Sequence, residues 1–186
     1  MIIENAMTKT EIEHIPEYEL HEMANTQIAA LLAESFQGYP QGRTHYKQMP
    51  SFRVLFSEND ELAGHAAVDH RQVSMGGKLY QIFGLADVCV REISQHAGVG
   101  SQIMAYIRNL AKEHEIDFLM AFSEDREFYH RFGFEVFTGF SKWLVLLNNH
   151  SLGLVNRKIE GSLLIAPLKK GLKANMGDLD LMGTVF

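Results

Sequence analysis

The segment Val88-Cys89-Val90-Arg91-Glu92-Ile93-Ser94-Gln95-His96-Ala97-Gly98-Val99-Gly100-Ser101 carries the clearest chemical signal in the chain. It leads from an apolar run into a stretch of helical periodicity through two glycines one residue apart. Such a turn lets several backbone N–H groups converge on one point, where the positive end of the helix dipole adds to them, and this suits a phosphate group. A Gly-x-Gly pair also serves tight helix packing, so alone it leaves both uses open. Asp87, an acid amid Leu85, Ala86 and Val88, is out of pattern for a buried strand. It reads either as a base facing a cleft or as a side chain on a wet face. His65 and His70 are an odd number of positions apart, so on one strand they point to opposite faces unless a bulge intervenes. At most one of them faces a common cleft. Cys89 is the single cysteine and has no identifiable histidine partner; it reads as a small buried hydrophobe.

These residues need elements to hold them. The pattern predicts a strand over Thr10 to Ile15 closed by Pro16, then a helix over Ala24 to Phe36 ended by Gly38 and Pro40. Gln41 to Pro50 is mostly polar and reads as a loop or short helix able to cover a site. Three strands follow as an antiparallel meander, Phe52 to Ser57, Leu62 to Ser74 and Leu79 to Val90, with turns at Glu58-Asn59-Asp60 and Gly76-Gly77. Ser101 to Glu113 places Ile103, Met104, Ile107, Leu110 and Ala111 on one helical face. Ile116 to Phe122 reads as a strand buried on both faces, and the order strand, helix, strand implies a parallel crossover. A short helix over Glu124 to Phe132, a strand over Phe134 to Phe137, a turn at Thr138-Gly139, a strand over Lys142 to Leu147 and another over Gly161 to Leu168 complete the reading. The expected fold is α/β (α+β): a mixed, mostly antiparallel sheet with a splayed central parallel pair, flanked by helices. A single domain spans 1–186, with 148–186 as a C-terminal extension.

Composition narrows the classes. Of 186 residues, 46% are hydrophobic and 22% charged, the profile of one soluble domain. The longest apolar runs, such as Trp143 to Leu147, fall far short of the roughly 20 residues of a bilayer helix. Glu4, Thr8 and Lys9 stand where a signal peptide would place an apolar core, and with one cysteine the chain reads as cytoplasmic. The balance of 23 acidic against 17 basic residues gives no footprint for nucleic acid and a weak preference for a cationic partner.

Gln95 stands three residues before Gly98, and the loop follows a strand that comes from a meander rather than from the start of a dinucleotide-binding unit. At this point the chain resembles the GNAT superfamily of N-acetyltransferases. Gln95, Gly98 and Gly100 match its Gln/Arg-x-x-Gly-x-Gly/Ala motif, Val88 and Val90 fit its fourth strand, and Phe128-Tyr129-His130-Arg131-Phe132-Gly133-Phe134 is similar to its aromatic helix ending in Gly-Phe. The resemblance covers about residues 10 to 147. It implies acetyl-CoA as co-substrate, with the pyrophosphate on the amides of Gly98, Val99, Gly100 and Ser101, the pantetheine arm along Val88 and Val90, a strand amide polarising the thioester, and no metal. It further implies Tyr129 as proton donor to the departing sulfur; a primary amine also needs a base near the cleft, for which Asp87, the acid out of pattern, is one candidate.

Within the superfamily, the run Ala63-Gly64-His65-Ala66-Ala67-Val68, the glycine hairpin and the tail Gly177 to Phe186 are similar to the aminoglycoside 2'-N-acetyltransferases and the Nod-factor acyltransferase NodA. On that likeness the tail folds over the acceptor site, with Asp178, Asp180 or the terminal carboxylate holding an ammonium group; otherwise it is a mobile tail without a role. The expected reaction is direct acetyl transfer to a small-molecule amine. A longer or carrier-bound acyl donor, or a non-catalytic CoA-binding module, are the rival readings. Exposed edge strands near the C-terminus suggest a homodimer.

Overall fold

Two tight turns build the centre of the molecule. Asn59 (φ 50°) and Asp60 (φ 65°) both take the left-handed conformation that a two-residue hairpin needs, and they join β2 (Phe52–Glu58) to β3 (Glu61–Met75). Gly76-Gly77 then turns β3 into β4 (Lys78–Val90). In this computed structural model, which describes residues 9–186, β1 (Thr10–Pro16) runs antiparallel to β2 and starts the meander. The reading of Glu4 and Thr8 against a signal sequence lies outside the described residues. Helix α1 (Glu22–Ser35) precedes β2, α2 (Val99–Glu113) follows β4, and β5 (Phe118–Phe122) pairs parallel with β4, the crossover expected from the sequence. Helix α3 is a short turn over Arg126–His130.

The remaining strands are β6 (Glu135–Val136), β7 (Phe140–Leu147), β8 (His150–Lys158), β9 (Leu163–Pro167) and β10 (Leu179–Asp180). The sheet order is β6-β9-β5-β4-β3-β10-β7-β8, with β2 and β1 continuing from the first half of β3. The fold is thus a mixed, mostly antiparallel sheet flanked by helices. Two of its strands were not anticipated. β8 leaves the chain at an Asn148-Asn149 turn, and β10 is a two-residue insertion that pairs antiparallel with β3 and parallel with β7.

Strand alternation sorts the core into two faces. On one, Val54 and Phe56 of β2 and Leu119 and Ala121 of β5 meet Ile103, Met104 and Ile107 of α2. On the other, Leu55 packs against Ile28, Leu31 and Leu32 of α1, while Phe118 and Met120 meet Trp143, Leu163, Leu179 and Leu181. The region 148–186 therefore supplies sheet and core together. Among the described residues, no helix is long and apolar enough to cross a membrane.

Candidate active site

The sheet opens where β4 and β5 part. Their pairing runs from Ile82↔Phe118 to Leu85↔Ala121, after which β4 continues for five residues to Val90 and β5 for one, to Phe122. On its other side β4 bulges. Ala86 opposes Ala67 and Cys89 opposes His65, so Asp87 and Val88 together face the single residue Ala66. Asp87 takes φ 51°, rare for a residue other than glycine, and this bends β4 away from β5. The backbone groups on the β5 side of β4 beyond Leu85 consequently have no strand to pair with.

A cavity of about 600 Å³ occupies one end of this opening. Val88, Val90, Gln95, Gly98, Val99, Gly100, Ser101 and Tyr129 all line it. Gly98 sits at the start of α2 with φ 86°, and a Cβ there would meet nothing within 4 Å, so the wall in front of it is open. Side chains cap the other helices: His21 Nδ1 accepts from Ala24 N at 3.1 Å, and Asp125 accepts from Phe128 N at 3.0 Å. Helix α2 has no such cap. Its first in-helix bond runs from Gln102 N to Gly98 O (3.0 Å), so the preceding amides keep their donors for an external acceptor. A phosphate group fits this cradle, and the unpaired edge of β4 fits an amide-bearing arm. Gln95 turns back to donate to Val90 O (3.2 Å), fixing the loop to the strand.

A second cavity, of about 320 Å³, lies on the other side of the opening and contains Asp87. The two cavities share Phe36, Val88, Ser123 and Tyr129. Tyr129 is 7% exposed, packed edge-on against Phe128 and Phe134, and burial pushes its phenol well above the usual value. It stays protonated throughout the neutral range. Burial also raises the Asp87 carboxyl, an effect opposed by a hydrogen bond that Tyr39 OH donates to Asp87 Oδ2 (2.8 Å) and by the charges of Arg53 and His45. Tyr129 and Asp87 thus stand around one cleft with Val88, Val90, Gln95, Gly98, Val99, Gly100 and Ser101.

A buried network that braces this cleft escaped the sequence reading. Arg53, fully buried on β2, binds Glu17 through Nε and Nη2 (2.7 and 2.9 Å), donates to Thr44 O (2.6 Å) and reaches His65 Nε2 at 3.1 Å. A guanidinium can only donate, so His65 Nε2 accepts and Nδ1 carries the proton that bonds Asp87 O at 2.9 Å. Burial, with Arg53 adding to it, drives the His65 imidazole down to about 3. His65 is therefore a neutral brace for the bulge and not a base, while His70 is exposed and bonds Gln81. Cys89 lines the larger cavity, but burial pushes its thiol up to about 12, which leaves it a packing group.

The tail folds back. Leu181 N bonds Lys142 O (2.8 Å), Leu144 N bonds Gly183 O (2.8 Å), and Thr184, Val185 and Phe186 line the smaller cavity. The tail acids do not face it, contrary to expectation. Asp180 pairs with Lys142 (2.9 Å) and Asp178 accepts from Phe140 N (3.2 Å), because the strand pairing of β10 turns them toward β7. Among the described residues, no cluster of three or more His, Cys, Asp or Glu is placed to hold a metal ion.

The splayed sheet and the uncapped start of α2 form one ligand cleft, and comparison with known proteins gives the class to which it belongs. The profile of the acetyltransferase (GNAT) domain matches residues 11–137. The chain belongs to the GNAT acetyltransferase family. Among solved structures, the N-acetyltransferase YhbS of Escherichia coli in complex with CoA superposes with a TM-score of 0.61 at 17% identity, covering 93% of this chain and 88% of that one. A probable N-acyltransferase of Enterococcus faecalis gives 0.60 at 17% identity over 73% of this chain, which spans 34% of that longer protein. An acetyltransferase of Brucella melitensis in complex with acetyl-CoA gives 0.52 at 17% identity, covering 68% of this chain and 84% of that one. At these identities the likeness is one of fold. No curated protein matches the chain.

Proposed function

We propose that the protein transfers an acetyl group from acetyl-CoA directly to a primary amine of a small molecule. The observation that carries this reading is the meeting of the two cavities at Val88 and Tyr129, one opening on the uncapped start of α2 and the other holding Asp87. The amides of Val99, Gly100 and Ser101 hold the pyrophosphate, and the free edge of β4 at Val88 and Val90 pairs with the pantetheine arm. This sets the thioester in the opening between β4 and β5, where a β4 amide donates to its carbonyl oxygen.

The amine arrives from the smaller cavity as an ammonium and gives one proton to Asp87, directly or through water. Burial makes that carboxylate more basic than an ordinary one. The nitrogen lone pair forms the C–N bond to the thioester carbon, the C–S bond breaks, and the sulfur leaves with its electron pair and takes the Tyr129 proton. The amide nitrogen releases its second proton, and Tyr129 is restored by a proton from solvent or from Asp87. The sum is acetyl-CoA and an ammonium giving an amide, CoA thiol and one proton.

Tyr129→Phe tests the assignment. The variant keeps the ring packing of α3 and loses only the donor, so turnover falls about 10²- to 10³-fold while the Michaelis constant for acetyl-CoA holds. Unchanged turnover at every pH removes Tyr129 from the reaction.

A further inference from the structure

The smaller cavity has a chemical character of its own. About 320 Å³ is at the bottom of the range of ligand pockets, so an acceptor with several sugar rings exceeds it. Aromatic rings line it. Phe36, Tyr39 and Tyr46 form one row, with successive ring centroids 6.0 and 6.3 Å apart. Phe122 and Phe186, with ring centroids 5.5 Å apart, line the same cavity. Phe186 is firmly seated, since Gly84 of β4 leaves room that a Cβ would fill against its ring, and the Arg71 guanidinium lies 5.0 Å above that ring while donating to Thr184 O.

Charge in the cavity is sparse. Of its two side-chain carboxylates, Asp69 is engaged by Arg71 at 3.3 Å, while Asp87 accepts from Tyr39 through Oδ2 and keeps Oδ1 for a ligand. Lys47 also lines the cavity; among the described residues it has no carboxylate partner, and burial lowers its ammonium. A polyamine or an aminoglycoside would place further positive charges against Lys47 and against rings that offer too few anions to offset their desolvation. A single ammonium beside Asp87, followed by an aromatic group among these rings, matches both the charge and the walls.

Resting on the acetyl-transfer reading, we infer that the acceptor is a small aralkyl monoamine and that Phe186 is the residue that selects its aromatic group. The thioester carbon bonds to the single amino nitrogen of this acceptor as described above. The test uses the whole protein with 2-phenylethylamine, spermidine, kanamycin and phenylalanine as probes. CoA thiol release is followed in parallel with calorimetric binding of each amine to the protein saturated with CoA. The expected result is a kcat/KM for 2-phenylethylamine at least tenfold above those of the other three, and a Phe186→Ala variant in which its KM rises about tenfold or more while acetyl-CoA affinity is kept. Preference for spermidine or kanamycin, or for phenylalanine with its added carboxylate, overturns the inference and leaves acetyl transfer standing. Tight binding of 2-phenylethylamine without turnover of any amine upholds the aralkylamine as the ligand of this cavity and overturns acetyl transfer to it; neither binding nor turnover overturns both. An unchanged KM in Phe186→Ala removes the selecting role of that ring.

Discussion

Acidification should destabilise this protein through His65. The imidazole is fully buried, neutral, and held with Nδ1 protonated between Arg53 and the Asp87 carbonyl. Its pKa is about 3 in the fold against 6.5 in an open chain, so the folded-state value is depressed. Below pH 6.5 the unfolded chain takes up a proton that the folded one refuses until about pH 3, and stability falls across that window. Each unit of pH is about 1.4 kcal/mol, so at pH 5 the loss from this one group is about 2 kcal/mol. Against a total of roughly 5–15 kcal/mol this is large, and it moves a urea midpoint by about 1 M. Asp87, raised by burial, acts in the opposite sense, because a carboxyl that holds its proton in the fold gains stability as the pH drops. The comparison that isolates His65 is therefore between wild type and His65→Asn, which keeps a side-chain donor for the Asp87 carbonyl and does not titrate. Urea unfolding at pH 7 and pH 5 should show a loss about 2 kcal/mol smaller in the variant. An equal loss in both proteins refutes the assignment of a neutral, proton-refusing imidazole.

Two further outcomes follow from the geometry. Gly98→Ala puts a side chain at φ 86°, where nothing blocks the Cβ but the backbone conformation is strained; it should lower Tm by about 2–4 °C for each kcal/mol of strain and raise the Michaelis constant for acetyl-CoA. Deleting Gly183 to Phe186 should raise the acceptor Michaelis constant and leave acetyl-CoA affinity as it was, measured by thiol release and calorimetry, because Thr184, Val185 and Phe186 line only the smaller cavity.

The elements that the sequence disclosed are those with local signatures. The meander was legible because its turns carry Asn59-Asp60 and Gly76-Gly77, and α2 because Ile103, Met104, Ile107, Leu110 and Ala111 recur at helical spacing and are all buried. β8 was missed because its residues are exposed on both faces, with Val155 alone partly buried, so no two-residue alternation marks it. β10 is too short for any pattern and exists through backbone bonds to distant strands. The phosphate cradle was legible from Gln95, Gly98 and Gly100, since loop and helix start are contiguous. The other half of the site was not. Arg53 meets Glu17 and His65 across three separate segments, and Tyr39 meets Asp87 across 48 positions. Asp87 was noticed as an acid out of pattern, yet its left-handed backbone, which opens the sheet, leaves no trace in residue types.

That extra residue also sets the phase of everything after it. A strand assigns its side chains by parity, odd to one face and even to the other, and one unmatched position exchanges the two assignments for Cys89 and Val90. A chain lacking only Asp87 would restore one-to-one pairing between β3 and β4 and make a more regular sheet. It would also lose the left-handed residue at which β4 bends away from β5. The capacity to hold a ligand here depends on an irregularity one residue long, which a smoother version of the same sheet would lose.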